Sequence, residues 1–258
     1  MPSPLPKKQK AARRKLDELF TQAKYTWVIH YSCESLFDLT DGRSPRITSI
    51  ALRSLNSAQT FSFSIHQIAE RKNSLGSIES KYDKLEKNML DEFYETITRN
   101  ENVNYLHWNM KDINYGFAAL EHRHKVLGGS PVAIADQNKF DLKIILKDIY
   151  GVNYIGNPPL EKLLEKNEMK SKKFMKGADE ATAFENKDYV ALHQSTLCKV
   201  YAITNIADRA HSKTLKTNAS LWDLHGGSIR NFAEIVVAHP VWSIASFLAT
   251  LVGLWYIL

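Results

Sequence analysis

Cysteine is scarce in this chain of 258 residues: Cys33 and Cys198 are the only two. They form no CxxC pair and no His/Cys spacing suited to zinc, which excludes a zinc finger and a disulfide-stapled scaffold. The N-terminus has no apolar run, so the pattern of a secretory leader is missing. Together these absences point to a body folded in a reducing, cytoplasmic setting. Charge is unevenly absent too. The first sixteen residues contain no acid but hold Lys7, Lys8, Lys10, Arg13, Arg14 and Lys15. The net charge is +6, and removing those six bases leaves the remaining bases and acids equal in number. Residues 1–16 therefore read as a basic arm on a neutral body, either a solubilising leader or a contact for phosphate.

At the other end, no Asp, Glu, Lys or Arg follows Glu234. Pro240–Leu258, PVWSIASFLATLVGLWYIL, is almost wholly apolar. A helix of that length would span roughly 28 Å, close to the hydrocarbon thickness of a bilayer. Trp242 near one end and Trp255 with Tyr256 near the other fit interfacial belts. The nearby cations Lys213, Lys216 and Arg230 all precede the segment, which predicts a single-pass membrane protein with its soluble domain in the cytoplasm. No other stretch is long and apolar enough to cross a membrane. Ser228–Ala238 carries Ile229, Phe232, Ile235 and Val236 at helical spacing and reads as an amphipathic lead-in; Gly226-Gly227 before it reads as a hinge. The expected organisation is a basic arm (1–16), an α/β body (17–210), a linker with lead-in helix (211–239) and a transmembrane helix (240–258).

What remains, with 44% hydrophobic and 24% charged residues, is the composition of one globular domain. Lys15–Ala23 predicts a short amphipathic helix. Thr26–Glu34, Arg46–Leu52 and Gln59–Ile65 are β-branched and aromatic runs divided by short turns, including the Asp41-Gly42-Arg43-Ser44-Pro45 cluster. They predict an antiparallel meander. The period then lengthens. Tyr82–Thr98, Asp112–Leu127, Phe140–Tyr150, Leu160–Lys166 and Asp188–Arg209 predict helices, with one strand, Val103–Trp108, among them. Hairpin strands first and crossover units afterwards imply a mixed β-sheet flanked by helices.

Three short motifs fall on this framework. Ser32-Cys33-Glu34 ends the first strand. His107-Trp108-Asn109-Met110-Lys111-Asp112 follows the fourth. His193 through Cys198 lies near the start of the last helix. Their order resembles the DEDDh branch of the 3′–5′ exonucleases, over about Tyr25 to Asn205. Lys139-Phe140-Asp141-Leu142 and Pro159-Leu160-Glu161-Lys162-Leu163 resemble that family's short helices before its third motif. The resemblance implies a ribonuclease-H-like fold and a site in which four acids hold two divalent metals, with a histidine as general base. In-line attack on a phosphate needs two cations about 4 Å apart, and only clustered carboxylates hold them there.

This chain departs from that pattern at half the acids. Ser32 stands where the resemblance implies an Asp, Glu34 and Asp112 are in place, His193 is present, and Cys198 stands where the last Asp is implied. A neutral hydroxyl at Ser32 removes charge that would offset the repulsion between two cations. The expectation is a pseudoenzyme. No cofactor is called for, with a single weakly held Mg2+ on Glu34 and Asp112 the one candidate. His193 would serve as general base only if the chain were active. Ser32, Glu34, Trp108, Asn109, Asp112, His193 and Cys198 are the candidate ligand-binding residues, with Trp108 suited either to stacking on a base or to filling a sheet–helix junction. Lys162, Lys166, Lys170, Lys172, Lys173 and Lys176 form a run suited either to phosphate contact or to a solvated face. On an alternating strand Cys33 faces away from Ser32 and Glu34, so no Cys33–Cys198 disulfide is expected.

The implied function is a membrane-anchored domain that binds a single-stranded DNA or RNA oligonucleotide, or a nucleotide, without cutting it, and passes occupancy to the membrane segment. One helix per chain encloses no pore, so this reading requires a homo-oligomer. Such a layout is that of an antiphage-defence effector, by analogy of architecture. The alternative is an active membrane-tethered 3′–5′ exonuclease.

Overall fold

Eight consecutive buried positions, Thr26–Cys33, make strand β1 the centre of the molecule. A strand covered on both faces reads as continuous apolar sequence instead of an alternation. In the computed structural model, which describes residues 7–35, 44–100, 102–112, 114–169 and 171–220, β1 pairs antiparallel with β2 (Ile47–Ser54). β2 in turn pairs antiparallel with β3 (Thr60–Ser64). On its other side β1 runs parallel to β4 (Asn104–His107), and β4 runs parallel to β5 (Lys139–Asp141). The result is one mixed sheet of five strands in the order β3-β2-β1-β4-β5.

Helices cover both faces, and the two-residue period of β1 sorts its side chains between them. Trp27, Ile29 and Tyr31 join a core with Leu85, Met89 and Phe93 of α3 (Tyr82–Arg99). Val28 joins the opposite core, built with α1 (Lys7–Thr21), α5 (Leu142–Tyr150), α6 (Pro159–Lys166) and α8 (Tyr189–His211). The sheet-flanked-by-helices architecture expected from the sequence is the one observed. α2 (Ile65–Arg71), α4 (Phe117–Val126) and α7 (Gly177–Glu185) complete it.

Several boundaries differ from expectation, each for a physical reason. The residues read as a basic arm form the first two-thirds of α1 from Lys7 onward. Gln9 donates to the Ile149 carbonyl at 2.7 Å and Ala12 and Leu16 are buried. Arg13 donates to the Ala210 carbonyl at 3.1 Å, binding one of the last carbonyls of α8. Long basic side chains thus flank a buried stripe while most of their charge stays in water. The helix expected from Asp112 starts only at Phe117. Before it the chain makes a tight turn in which Asp112 Oδ1 accepts the Asn114 N–H at 2.9 Å and Lys111 bridges to Gly116. A Cβ at Gly116 would lie 2.8 Å from the Met110 carbonyl oxygen and 2.9 Å from that of Asp112. This closed turn therefore admits only glycine. Phe140, expected in a helix, belongs instead to β5, whose three residues are too few to display an alternation.

The hinge, the lead-in helix and the transmembrane helix expected at 221–258 lie outside the described residues. Among the described residues no helix is long and apolar enough to cross a membrane.

Candidate functional site

Ser32, near the end of β1, points to the α8 side of the sheet and is almost fully buried. Its hydroxyl lies 2.8 Å from the Thr196 hydroxyl and donates to Glu180 Oε1 at 3.1 Å. Ser49, its partner on β2, reaches the same Thr196 hydroxyl at 2.7 Å. Ser195 donates to Glu180 Oε1 at 2.7 Å and takes the Met175 N–H at 3.2 Å. On the other carboxylate oxygen, Lys199 Nζ sits 2.7 Å from Glu180 Oε2. The side chains of Lys199 and Glu180 are only 9% and 11% exposed, so this is a desolvated ion pair within a closed hydrogen-bonded cluster. The positive charge reaches the neighbouring strand position as well. Burial, then the charge of Lys199, hold His30 well below its ordinary range, so that imidazole is neutral.

Four elements make this cluster. β1 and β2 supply small hydroxyls at adjacent positions. α8 crosses both strands and turns the stripe Leu192, Ser195, Thr196, Lys199, Val200 and Ile203 inward at helical spacing. α7 delivers Glu180, the side chain that gathers the others.

The resemblance implied Cys198 as a member of the same site as Ser32. The residue of α8 that meets Ser32 is Thr196, and Cys198, two positions on, lies about 200° further round the helix, where it lines a surface cavity. Cys198 is half-buried and forms no disulfide with Cys33. Burial pushes the Cys33 thiol up to about 12, which leaves it protonated and poorly nucleophilic. His193 is buried beside His66, with ring centroids 5.1 Å apart. Burial, and then His66, lower it to about 4.

Glu34 closes the end of β1: its N–H donates to the Arg46 carbonyl at 2.8 Å and its Oε2 accepts the Arg46 N–H at 3.3 Å. Asp112 is exposed in the turn before α4. Trp108 is packed in the core under α5 and α8, not presented as a stacking platform. Asn109 is exposed in a left-handed conformation, φ 57°. Its N–H donates to Asp141 Oδ1 at 3.2 Å and its side-chain oxygen accepts Lys143 Nζ at 3.3 Å. Asp141 also caps α5 by accepting the Lys143 N–H at 3.0 Å.

These donors do not fit a two-metal centre. The carboxylates of Glu34 and Asp112 each accept a backbone N–H, and Ser32 is engaged by Thr196 and Glu180. Among the described residues no three His, Cys, Asp or Glu side chains converge. The polar cluster that does form holds one carboxylate, and its counter-charge is an ammonium of the same chain.

Sequence reasoning missed Glu180, Lys199, Thr196, Ser195 and Ser49. One signal was available, a lysine falling on the inward stripe of α8 in step with Leu192, Val200 and Ile203. No protein-family model matches this chain, and neither a curated protein nor a solved structure matches it.

Proposed function

We propose that this chain is a catalytically degenerate 3′–5′ exonuclease-like domain, of the ribonuclease-H-like kind, that binds a single-stranded oligonucleotide or nucleotide without cutting it. The observation that carries the reading is the Lys199–Glu180 contact at 2.7 Å inside the cluster that includes Ser32. Where the resemblance implies a carboxylate bridging two cations, this chain has a neutral hydroxyl bonded to Glu180, and a lysine ammonium supplies the positive charge. An ammonium can neutralise a carboxylate, but it is no Lewis acid and cannot lower the pKa of a bound water as a divalent metal does. The order of elements supports the same reading: a meander first, then crossover units on the parallel side, then a long helix across β1 and β2.

The apolar Pro240–Leu258 segment supports a membrane anchor. In the full reading, ligand occupancy in the body is coupled to a homo-oligomeric membrane segment, the layout of an antiphage-defence effector.

The test is incubation of the full-length chain, purified in detergent, with end-labelled single-stranded DNA and RNA in the presence of Mg2+ or Mn2+. Both strands should keep their length. Shortening by the wild type that disappears in Glu34→Ala or Asp112→Ala would overturn the proposal in favour of an active nuclease.

A further inference from the structure

The outward side of α8 has a feature that the degenerate site does not use. Beside the helix, under the segment that carries Met169, Ser171 and Lys173, lies a cavity of about 570 Å³. That volume falls within the range of small-ligand sites, roughly 300–1,000 Å³. Its lining includes the apolar Leu197, Cys198 and Ala202 and the polar Lys173, Gln194, Tyr201, Asn205 and Arg209. Among the described residues that line it there is no carboxylate. Glu168, which feels the charge of Arg209, is held by Lys216 Nζ at 2.9 Å.

Three of these polar groups are braced. Asn205 donates through Nδ2 to the Tyr201 carbonyl at 3.1 Å, which leaves its second N–H and its side-chain oxygen. Arg209 donates through Nη1 to the Asn167 carbonyl at 3.3 Å, which uses one of the five donors of its guanidinium. Tyr201 is 55% exposed, and the Arg53 guanidinium lies over its ring, 5.1 Å from the centroid. A third cation therefore stands at this edge.

We propose that this cavity binds a nucleoside phosphate. Tyr201, with Arg53 over its ring, offers an exposed aromatic surface to the base, Gln194 and Asn205 offer amide groups to its edge, and Lys173 and Arg209 receive the phosphate. Each of these polar groups has a use with such a ligand. A simple anion would need only the two cations, and an aliphatic ligand would need none of the polar groups. The same chemistry can arrive as a free mononucleotide or as the terminal nucleotide of a strand. The inference rests on the ligand-binding half of the function proposed above, and it places that ligand on the outer side of α8, away from Ser32.

The experiment uses the full-length chain in detergent at low salt, with two probes: fluorescein-labelled octathymidylate read by anisotropy, and AMP as competitor. The wild type should bind the labelled strand. Tyr201→Ala should weaken it at least about fivefold, the scale of one lost base–aromatic stack. Lys173→Glu should weaken it and flatten its salt dependence. Displacement by AMP identifies a mononucleotide site; retention of the strand against AMP, with the same loss in Tyr201→Ala, identifies a strand end. Failure of the wild type to bind either probe overturns the proposal, as does equal binding by the wild type and both variants. Binding that ignores Tyr201 and Lys173 would leave the non-cutting reading intact and remove only this pocket. Shortening of the strand by the wild type would do the reverse.

Discussion

The two sides of α8 place polar side chains in opposite circumstances. On the inner side Ser195, Thr196 and Lys199 are buried, and each closes on a partner within the domain. On the outer side Gln194, Tyr201, Asn205 and Arg209 ring a cavity open to solvent. Chemistry requires access. The inner cluster is closed on itself as a fastening between α7, α8 and the sheet, whereas the outer cluster is accessible. The comparison teaches that the position of a motif and the position of a usable site can part company on a single helix.

The comparison breaks first, and most visibly, at Lys199. Lys199→Met leaves Glu180 buried without its cation, and should cost about 3–5 kcal/mol in urea unfolding. Lys199→Met combined with Glu180→Gln should recover most of that loss, because the stranded charge is gone. A single variant as stable as wild type would show that the inner cluster fastens nothing.

A smaller effect is expected at His193, another inward polar group of α8. Its folded value, lowered to about 4 by burial and then by His66, lies below the ordinary unfolded value near 6.5. The unfolded chain therefore binds more protons between those limits. Stability contributed by neutral His193 is complete above about pH 6.5 and declines as pH falls toward about 4. His193→Gln should flatten the stability profile in that window; an unchanged slope would count against a buried, neutral imidazole.

The smallest effect belongs to the outer side. Tyr201→Ala should shift unfolding free energy by no more than about 0.5 kcal/mol, the ordinary scale for surface changes. A larger loss would make Tyr201 a structural residue and blur the distinction between the two sides.

Much of this arrangement was legible in the sequence where hydrophobic periodicity is strong. β1, β2, β3, α3, α6 and α8 fall within one or two residues of expectation, because each carries several apolar side chains at a fixed period. α1 was misjudged at its start because six bases outweigh the weak signal of Gln9 and Ala12. α7 escaped notice because its buried positions, Glu180 and Ala183, carry almost no hydrophobic signal. At the site, Ser32 could be located from its strand, but its partner could not. The resemblance implied Cys198 at the site, whereas α8 turns Thr196 toward Ser32. A carboxylate from α7 and an ammonium from α8 meet only through tertiary packing, which no local spacing encodes.

The seating of α1 has a practical consequence. Arg13 reaches the Ala210 carbonyl, the Phe20 ring stacks on His211 at 4.1 Å, and Leu16 and Leu19 fill the core beneath α5. The lysine-rich opening of this protein is thus a wall of the interior and a clasp on the stretch from which the polypeptide continues toward its oily tail. Trimming it as a dispensable charged leader would bare a greasy face and free the last turn of α8 from the body.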